Sequence, residues 1–115
     1  HIMVRKSGGV LRLGISHAEA IASHRPSVDF LFNSLAQHRV RTVAILLTGM
    51  GRDGADGMAK IHGLGGFTMA QDESSSTVFG MPGEAIKIGA VDYIGNPRQI
   101  QYKLHHILTT KKFAA

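Results

Sequence analysis

Short apolar runs, each followed by a segment with helical spacing, make up the chain from residue 43 onwards. Residues 43–47 form a continuous apolar run, typical of a strand buried on both faces of a parallel sheet. Residues 67–71 and 91–94 are predicted to form two further strands. Predicted helices follow the three strands, over residues 55–64, over residues 82–88 and from Asn96-Pro97 onwards. This alternation predicts right-handed crossovers and a parallel sheet.

The residues before position 43 predict a hairpin and one helix. Residues 4–13 are typical of two short strands around a Gly8-Gly9 turn, and residues 16–24 are expected to be a loop. Ser27 is a predicted N-cap, with Asp29 in the first turn of a helix that ends near His38. We therefore expect an α/β fold, with a doubly wound, mostly parallel sheet, helices on both faces and an N-terminal antiparallel hairpin.

Apolar residues at helical spacing mark the buried faces of the first and last helices. They are Val28, Leu31, Phe32 and Leu35 in the first helix, and Ile100, Leu104, Ile107 and Leu108 in the last.

Composition limits the protein classes to which the chain can belong. With 115 residues, 43 % hydrophobic and 18 % charged, residues 1–115 fit one globular unit. We interpret them as a single partial domain, because the chain begins at His1 without an initiator Met. No run of about 20 apolar residues is present, so membrane insertion is not predicted. The absence of cysteine excludes disulfides and thiolate metal sites and fits a cytoplasmic protein.

The net charge of +5 does not predict a nucleic-acid partner. The basic residues are dispersed along the chain, with Lys111-Lys112 paired near its end, and the chain lacks tryptophan and the interleaved aromatic residues of single-strand binders. The seven histidines do not predict a metal site either. His105 and His106 are adjacent, so they project in different directions from a helix, and the others lack ligand spacing to a carboxylate. No metal and no cofactor are predicted.

The loop after the first predicted strand has the spacing Gly49-x-Gly51-x-x-Gly54, which is typical of dinucleotide-binding turns. Asp72, about 20 residues further on, completes that pattern. Asp53 and Asp56 argue against it, because a pyrophosphate at this helix N-terminus would meet one or two carboxylates. The dipole of the helix that follows would instead hold Asp53 ionised, as suits an acid that orients a histidine base.

A second interpretation of these residues stays open, because Asp is common at helix N-termini. Asp53 and Asp56 could simply occupy favourable positions there without any chemical role. Ser74, Ser75 and Ser76 are a further candidate for a nucleophile, but no Gly-x-Ser-x-Gly turn surrounds them, so a polar loop is favoured.

The sequence ILLTGMGRDGADG at residues 45–57 resembles the LTGMGxDGAxG signature of the catalytic domain of chemotaxis protein-glutamate methylesterases. Two further blocks are similar to the family in the same order. They are HRPSVD at residues 24–29, and AQDES at 70–74 with VFGMP at 78–82 and EAI at 84–86. Residues 1–4 also resemble native family sequence rather than a tag.

This resemblance implies hydrolysis of γ-glutamyl methyl esters on chemoreceptors, together with deamidation of receptor glutamines, by a Ser-His-Asp triad. Asp53 matches the acid of the triad, and the backbone N–H of Met50 matches an oxyanion-hole donor. In most family members a phosphorylatable receiver domain precedes the catalytic domain and controls access to it. The implied partners are therefore methyl-accepting chemoreceptors and such a receiver domain.

The chain departs from the family pattern in two respects. The nucleophilic Ser and the His base lie earlier in the family's domain, and neither motif occurs here, so the chain by itself is expected to be inactive. Gly83 stands where the family usually has a basic residue. Two alternatives remain, a dinucleotide-binding domain and a non-catalytic signalling scaffold with the methylesterase fold.

Overall fold

The computed structural model describes residues 1–111, which begin with an antiparallel hairpin. Strand β1 (Ile2–Ser7) pairs with β2 (Val10–Ile15) in a register that places Val4 opposite Leu13. Gly8 and Gly9 form the turn with φ of 57° and 79°, a left-handed conformation that favours glycine. The predicted hairpin is thus confirmed, with strands slightly longer than expected.

Three parallel strands form the central sheet. They are β3 (Val43–Leu46), β4 (Phe67–Gln71) and β5 (Tyr93–Gly95), in the order β3-β4-β5. Every residue of β4 is buried, as expected for the middle strand of a parallel sheet. All three carboxyl ends meet at one edge, where ligand chemistry in α/β folds is usually found.

Four helices connect and cover the strands. They are α1 (Val28–Gln37), α2 (Ala55–Gly63), α3 (Met81–Lys87) and α4 (Pro97–Thr110). The predicted Ser27 cap is confirmed, since Ser27 accepts from the Phe30 N–H. The last helix begins where expected, and the structure adds a capping box between Asn96 and Gln99. Within residues 1–111, no helix is both long enough and apolar enough to cross a membrane.

The sheet separates two apolar clusters, which confirms the predicted helices on both faces. On one face Ala44 and Leu46 pack with α1, α2 and α3, around Phe32 and Met58. On the other face the remaining β3 side chains and β4 pack against α4, and the residues involved are Val43, Ile45, Phe67, Met69, Ile100 and Ile107. The alternation along β3 follows from the two-residue period of a strand.

Three details of the fold differ from the prediction. β3 is buried on one face only, because α4 covers just part of the other face and leaves Val43 and Ile45 half-buried. β5 begins at Tyr93, two residues later than predicted, and Asp92 before it is bonded to Thr68 of β4. Leu108 is 62 % exposed although Ile107 before it is buried, because consecutive residues of a helix point about 100° apart around its axis.

Candidate active site

The loop that follows β3, here called the acid loop (residues 48–54), lies beside the loop that follows β4. Gln71 joins them, because its Oε1 accepts from the Thr48 N–H at 2.8 Å and its Nε2 donates to Ser75 O at 2.9 Å. The two strand-end loops are therefore neighbours at the carboxyl edge of the sheet. Gln71 is buried at the end of β4, where an amide needs such partners.

Residues 78–81 hold the acid loop from its other side. The Gly49 N–H donates to Val78 O at 3.0 Å, and Gly49 O accepts from the N–H groups of Gly80 and Met81 at 3.0 and 2.9 Å. A Cβ on Gly80 would lie 2.6 Å from Gly49 O and 2.8 Å from Gly51 N. Only glycine allows two backbones to approach this closely, so these contacts fix the path of the acid loop.

Asp53 lies at the N-terminus of α1, although it belongs to the loop that opens α2. Its Oδ1 accepts from Ser27 Oγ at 2.9 Å and from the Asp29 N–H at 3.0 Å, and its Oδ2 accepts from the Val28 N–H at 2.7 Å. Asp53 is only 8 % exposed. The carboxylate therefore satisfies the first amide groups of α1, which the helix itself leaves without partners.

This environment keeps Asp53 ionised. Burial raises the pKa of the carboxyl group, but the hydrogen bonds from Asp29, Val28 and Ser27, with the nearby His24, outweigh burial and lower the pKa below its ordinary value. From the sequence, this stabilisation was expected to come from the dipole of α2, the helix that Asp53 precedes. In the structure the donors belong to α1 instead, because the chain brings α1 against the acid loop.

Asp29, in the first turn of α1, in turn caps the N-terminus of α2. Its Oδ1 accepts from the Gly57 N–H at 2.7 Å, while Asp56 is exposed and pairs with Arg52 at 3.0 Å. Each helix is thus capped by an acid from the segment that begins the other. With these carboxylates present, the start of α2 does not suit a pyrophosphate, which agrees with the electrostatic argument from the sequence.

Met50 projects from the acid loop, with 80 % of the residue exposed. Its backbone N–H has no acceptor among residues 1–111, whereas that of Gly49 is bonded. Gly51 follows with φ of 91°, so the chain turns sharply there. An N–H that has no acceptor among residues 1–111, on a loop held by these contacts, is available to donate to a ligand.

His24, Ser27 and Gln71 were not assigned to the site from the sequence. His24 is exposed, and its Nε2 would lie 3.9 Å from a Cβ built on Gly51, so it borders the acid loop. Ser27 was predicted only as a cap, and Gln71 had no assigned role. The available signal for Gln71 was an amide side chain at the carboxyl end of a buried strand.

The remaining candidates lie apart from Asp53 or are used locally. Ser75 donates through its hydroxyl to Asp72, within their own loop, and His105 and His106 are exposed on α4. At Gly83 a Cβ would lie 3.0 Å from carbon atoms of the Phe79 ring. The ring packs over this position, so a larger residue there requires the ring to move.

Comparison with known proteins adds independent findings. Residues 1–104 match the family model described as CheB methylesterase. The chain is 48 % identical over 113 residues to the protein-glutamate methylesterase/protein-glutamine glutaminase of Sulfurimonas denitrificans, covering 97 % of this chain and 32 % of that protein. It is 45 % identical over 111 residues to a second such protein, from Shewanella oneidensis, covering 96 % and 32 %. The chain therefore spans about a third of the length of these curated relatives.

A solved structure agrees with the fold described above. The crystal structure of the Thermotoga maritima CheB methylesterase catalytic domain superposes with a TM-score of 0.88 at 33 % identity. The alignment covers 93 % of this chain and 57 % of that one. The matching family model, the sequence relatives and the shared fold together show that the chain belongs to the CheB methylesterase family.

Proposed function

We propose that this chain supplies the acid and one oxyanion donor of a protein-glutamate methylesterase and glutaminase. The observation that carries the proposal is the carboxylate of Asp53, which is held ionised and oriented at the N-terminus of α1. Its loop also carries the Met50 N–H, which has no acceptor among residues 1–111. The names of the relatives supply the reaction class.

The hydrogen bonds of Asp53 leave room for a histidine. A carboxylate has about four lone-pair directions, and three are occupied here, two on Oδ1 and one on Oδ2. The fourth direction, on Oδ2, can accept from the Nδ1–H of an imidazole. Asp53 would then hold the histidine in the tautomer that accepts a proton from serine and would stabilise the imidazolium that forms.

The backbone N–H of Met50 is the proposed oxyanion donor. The tetrahedral intermediate of ester hydrolysis carries a negative oxygen, and a fixed N–H stabilises it without reorganisation. Such a donor contributes roughly 3 kcal/mol of transition-state stabilisation. The contacts of Gly49 with residues 78–81 hold this N–H in place.

The nucleophile and the base would come from the part of the domain that the relatives have upstream of the matched region. The serine would attack the γ-glutamyl ester, form an acyl-enzyme and release methanol, and water would then free the glutamate. Deamidation would follow the same course with ammonia as the leaving group. By this proposal the chain alone is inactive.

The proposed substrates are methyl-accepting chemoreceptors, and the proposed location is the cytoplasm. A receiver domain in the parent protein is a further proposed partner, which would control access to the site.

Methanol release from methylated receptors tests the proposal, with a protein that joins this chain to the upstream part of its domain. Asp53→Asn should lower kcat by about 10⁴-fold, because the carboxylate no longer orients the base. Asp56→Asn is the matched control, since Asp56 is an exposed acid three residues away, and it should retain activity. Comparable activity in the Asp53 variant would exclude the triad role. No release from any folded form would favour a non-catalytic scaffold.

A further inference from the structure

His1 is fixed against the start of α1 by its backbone and by its ring. Its amino nitrogen donates to Ser16 O at 2.8 Å and its carbonyl accepts from the Ser16 N–H at 2.9 Å, which extends the hairpin. The ring stacks on Phe30, with centroids 4.2 Å apart and planes inclined by 4°. His1 is 8 % exposed, so its ring nitrogens need partners inside the protein.

The partners of these nitrogens define one protonation state. Nδ1 lies 3.0 Å from the Ser27 nitrogen, whose N–H donates to it, so Nδ1 must carry a lone pair. Nε2 lies 2.9 Å from Glu19 O, which can only accept, so Nε2 must carry the proton. The ring is therefore neutral and in the Nε2–H tautomer.

Ser27 connects His1 to Asp53. Its backbone N–H is bonded to His1, while its Oγ donates to Asp53 Oδ1 and accepts from the Phe30 N–H at 3.3 Å. Ser27 is buried, so loss of the acceptor on His1 would leave its N–H unsatisfied. The backbone of Ser27 would have to turn towards another acceptor, and its Oγ would move relative to Asp53.

We propose that His1 is a positioning residue of the esterase, which fixes the backbone of Ser27 through Nδ1 and thereby holds the carboxylate of Asp53 in its catalytic orientation. This inference rests on the proposed role of Asp53. His1 does not touch substrate, and its contribution passes through Ser27. Neither the hydrogen bond to Glu19 nor the ring stacking is sufficient for that role.

Three substitutions of His1 separate these contacts. His1→Asn places an oxygen acceptor near the position of Nδ1, His1→Gln places an amide donor near that of Nε2, and His1→Phe keeps only the ring. In the intact domain the Gln and Phe variants should lower kcat by roughly 10–100-fold with KM unchanged, because a misplaced catalytic group reduces the rate more than it reduces binding. The Asn variant should remain within about threefold of the unchanged enzyme. An Asn variant as impaired as the Phe variant would overturn the proposal.

NMR of the same intact domain gives a readout that does not depend on activity. Long-range ¹⁵N–¹H correlations should report the Nε2–H tautomer of His1, and ¹³C titration should show a higher pKa for Asp53 in the Gln and Phe variants but not in the Asn variant. An Nδ1–H tautomer, or a pKa of Asp53 that is equal in all forms, would refute the coupling. If Asp53→Asn kept full activity, the proposed function would fail, and the titration would still decide whether His1 acts on Asp53.

Discussion

At the scale of single residues, Asp53 combines a structural contact with a proposed chemical role. Its carboxylate accepts three hydrogen bonds from residues 27–29, so the start of α1 depends on its negative charge. The lowered pKa of Asp53 means that this charge persists to acidic pH. The charge that would orient a histidine therefore also stabilises the fold.

Asp53 should make the stability of the domain depend on pH. Because its pKa is lower in the folded state, ionised Asp53 contributes stability above the unfolded pKa of about 4, and this stability is lost as pH falls through the lower folded value. Asp53→Asn should cost about 2 kcal/mol at pH 7, since an amide cannot accept all three bonds. In urea unfolding the difference between the two proteins should shrink below pH 4. A difference independent of pH would contradict this account.

The sequence identified Asp53 as a candidate but not its partners. An acid between Gly51 and Gly54 after a buried strand is a local pattern, whereas its donors lie 24 to 26 residues upstream. Such contacts depend on how α1 packs on α2, which local periodicity does not encode. The same limit explains why Gln71 and His1 were not assigned roles.

At the scale of elements, α1 and α2 exchange caps. Asp53 supports α1, and Asp29 supports α2 through the Gly57 N–H. A Cβ on Gly57 would lie 2.6 Å from Phe32 Cβ, so the two helices approach closely where the caps are exchanged. Ser27 was correctly predicted as a cap because its side chain accepts from an N–H only three residues further on.

Removal of one exchanged cap should destabilise both helices. Asp29→Ala should cost about 1–2 kcal/mol, because Gly57 is a buried residue whose N–H loses its acceptor. Asp56→Ala is the matched control, an acid in the first turn of α2 that is exposed and paired only with Arg52, and it should cost under about 0.5 kcal/mol. Chemical denaturation of the two variants measures the difference. Equal losses would mean that the exchange of caps contributes little.

The acid loop should be as sensitive to Gly80 as to its own residues. Gly80→Ala forces a Cβ against Gly49 O and Gly51 N, so the loop must move and the Met50 N–H with it. We expect kcat for methanol release to fall by about 100-fold, as for other misplaced catalytic groups. Gly63→Ala is the control, since no atom lies within 4 Å of its would-be Cβ, and it should raise stability by about 0.5–1 kcal/mol. Unchanged kcat in Gly80→Ala would show that the loop tolerates the displacement.

At the scale of the molecule, the described residues leave apolar surface uncovered. Ile2, Leu13 and Ile15 are exposed in the part of the hairpin away from its turn, and Leu13 is 77 % exposed. Among residues 1–111, β3 and β5 are also edge strands with no partner on their outer sides. Uncovered apolar faces and open edges favour association.

The 115-residue chain should therefore associate in solution. Light scattering at increasing concentration should give a mass above 12.4 kDa. Replacement of Leu13 and Ile15 by Thr should lower that mass without unfolding the protein, because both side chains are exposed and Thr is tolerated in strands. Substitution of Val10 and Leu11 at the turn is the control, since these residues lie away from Ile2. A monomer at all concentrations would contradict the prediction.

The exchange of caps has a consequence for how changes in this protein would be detected. Asp53 is coupled to the first residues of α1, so a substitution that only loosens this helix would also turn the carboxylate away from an incoming base. Such a substitution would lower the turnover rate clearly, while calorimetry would detect only a small change in the stability of the fold. The beginning of α1, although it contributes no reacting atom, would therefore tolerate little variation.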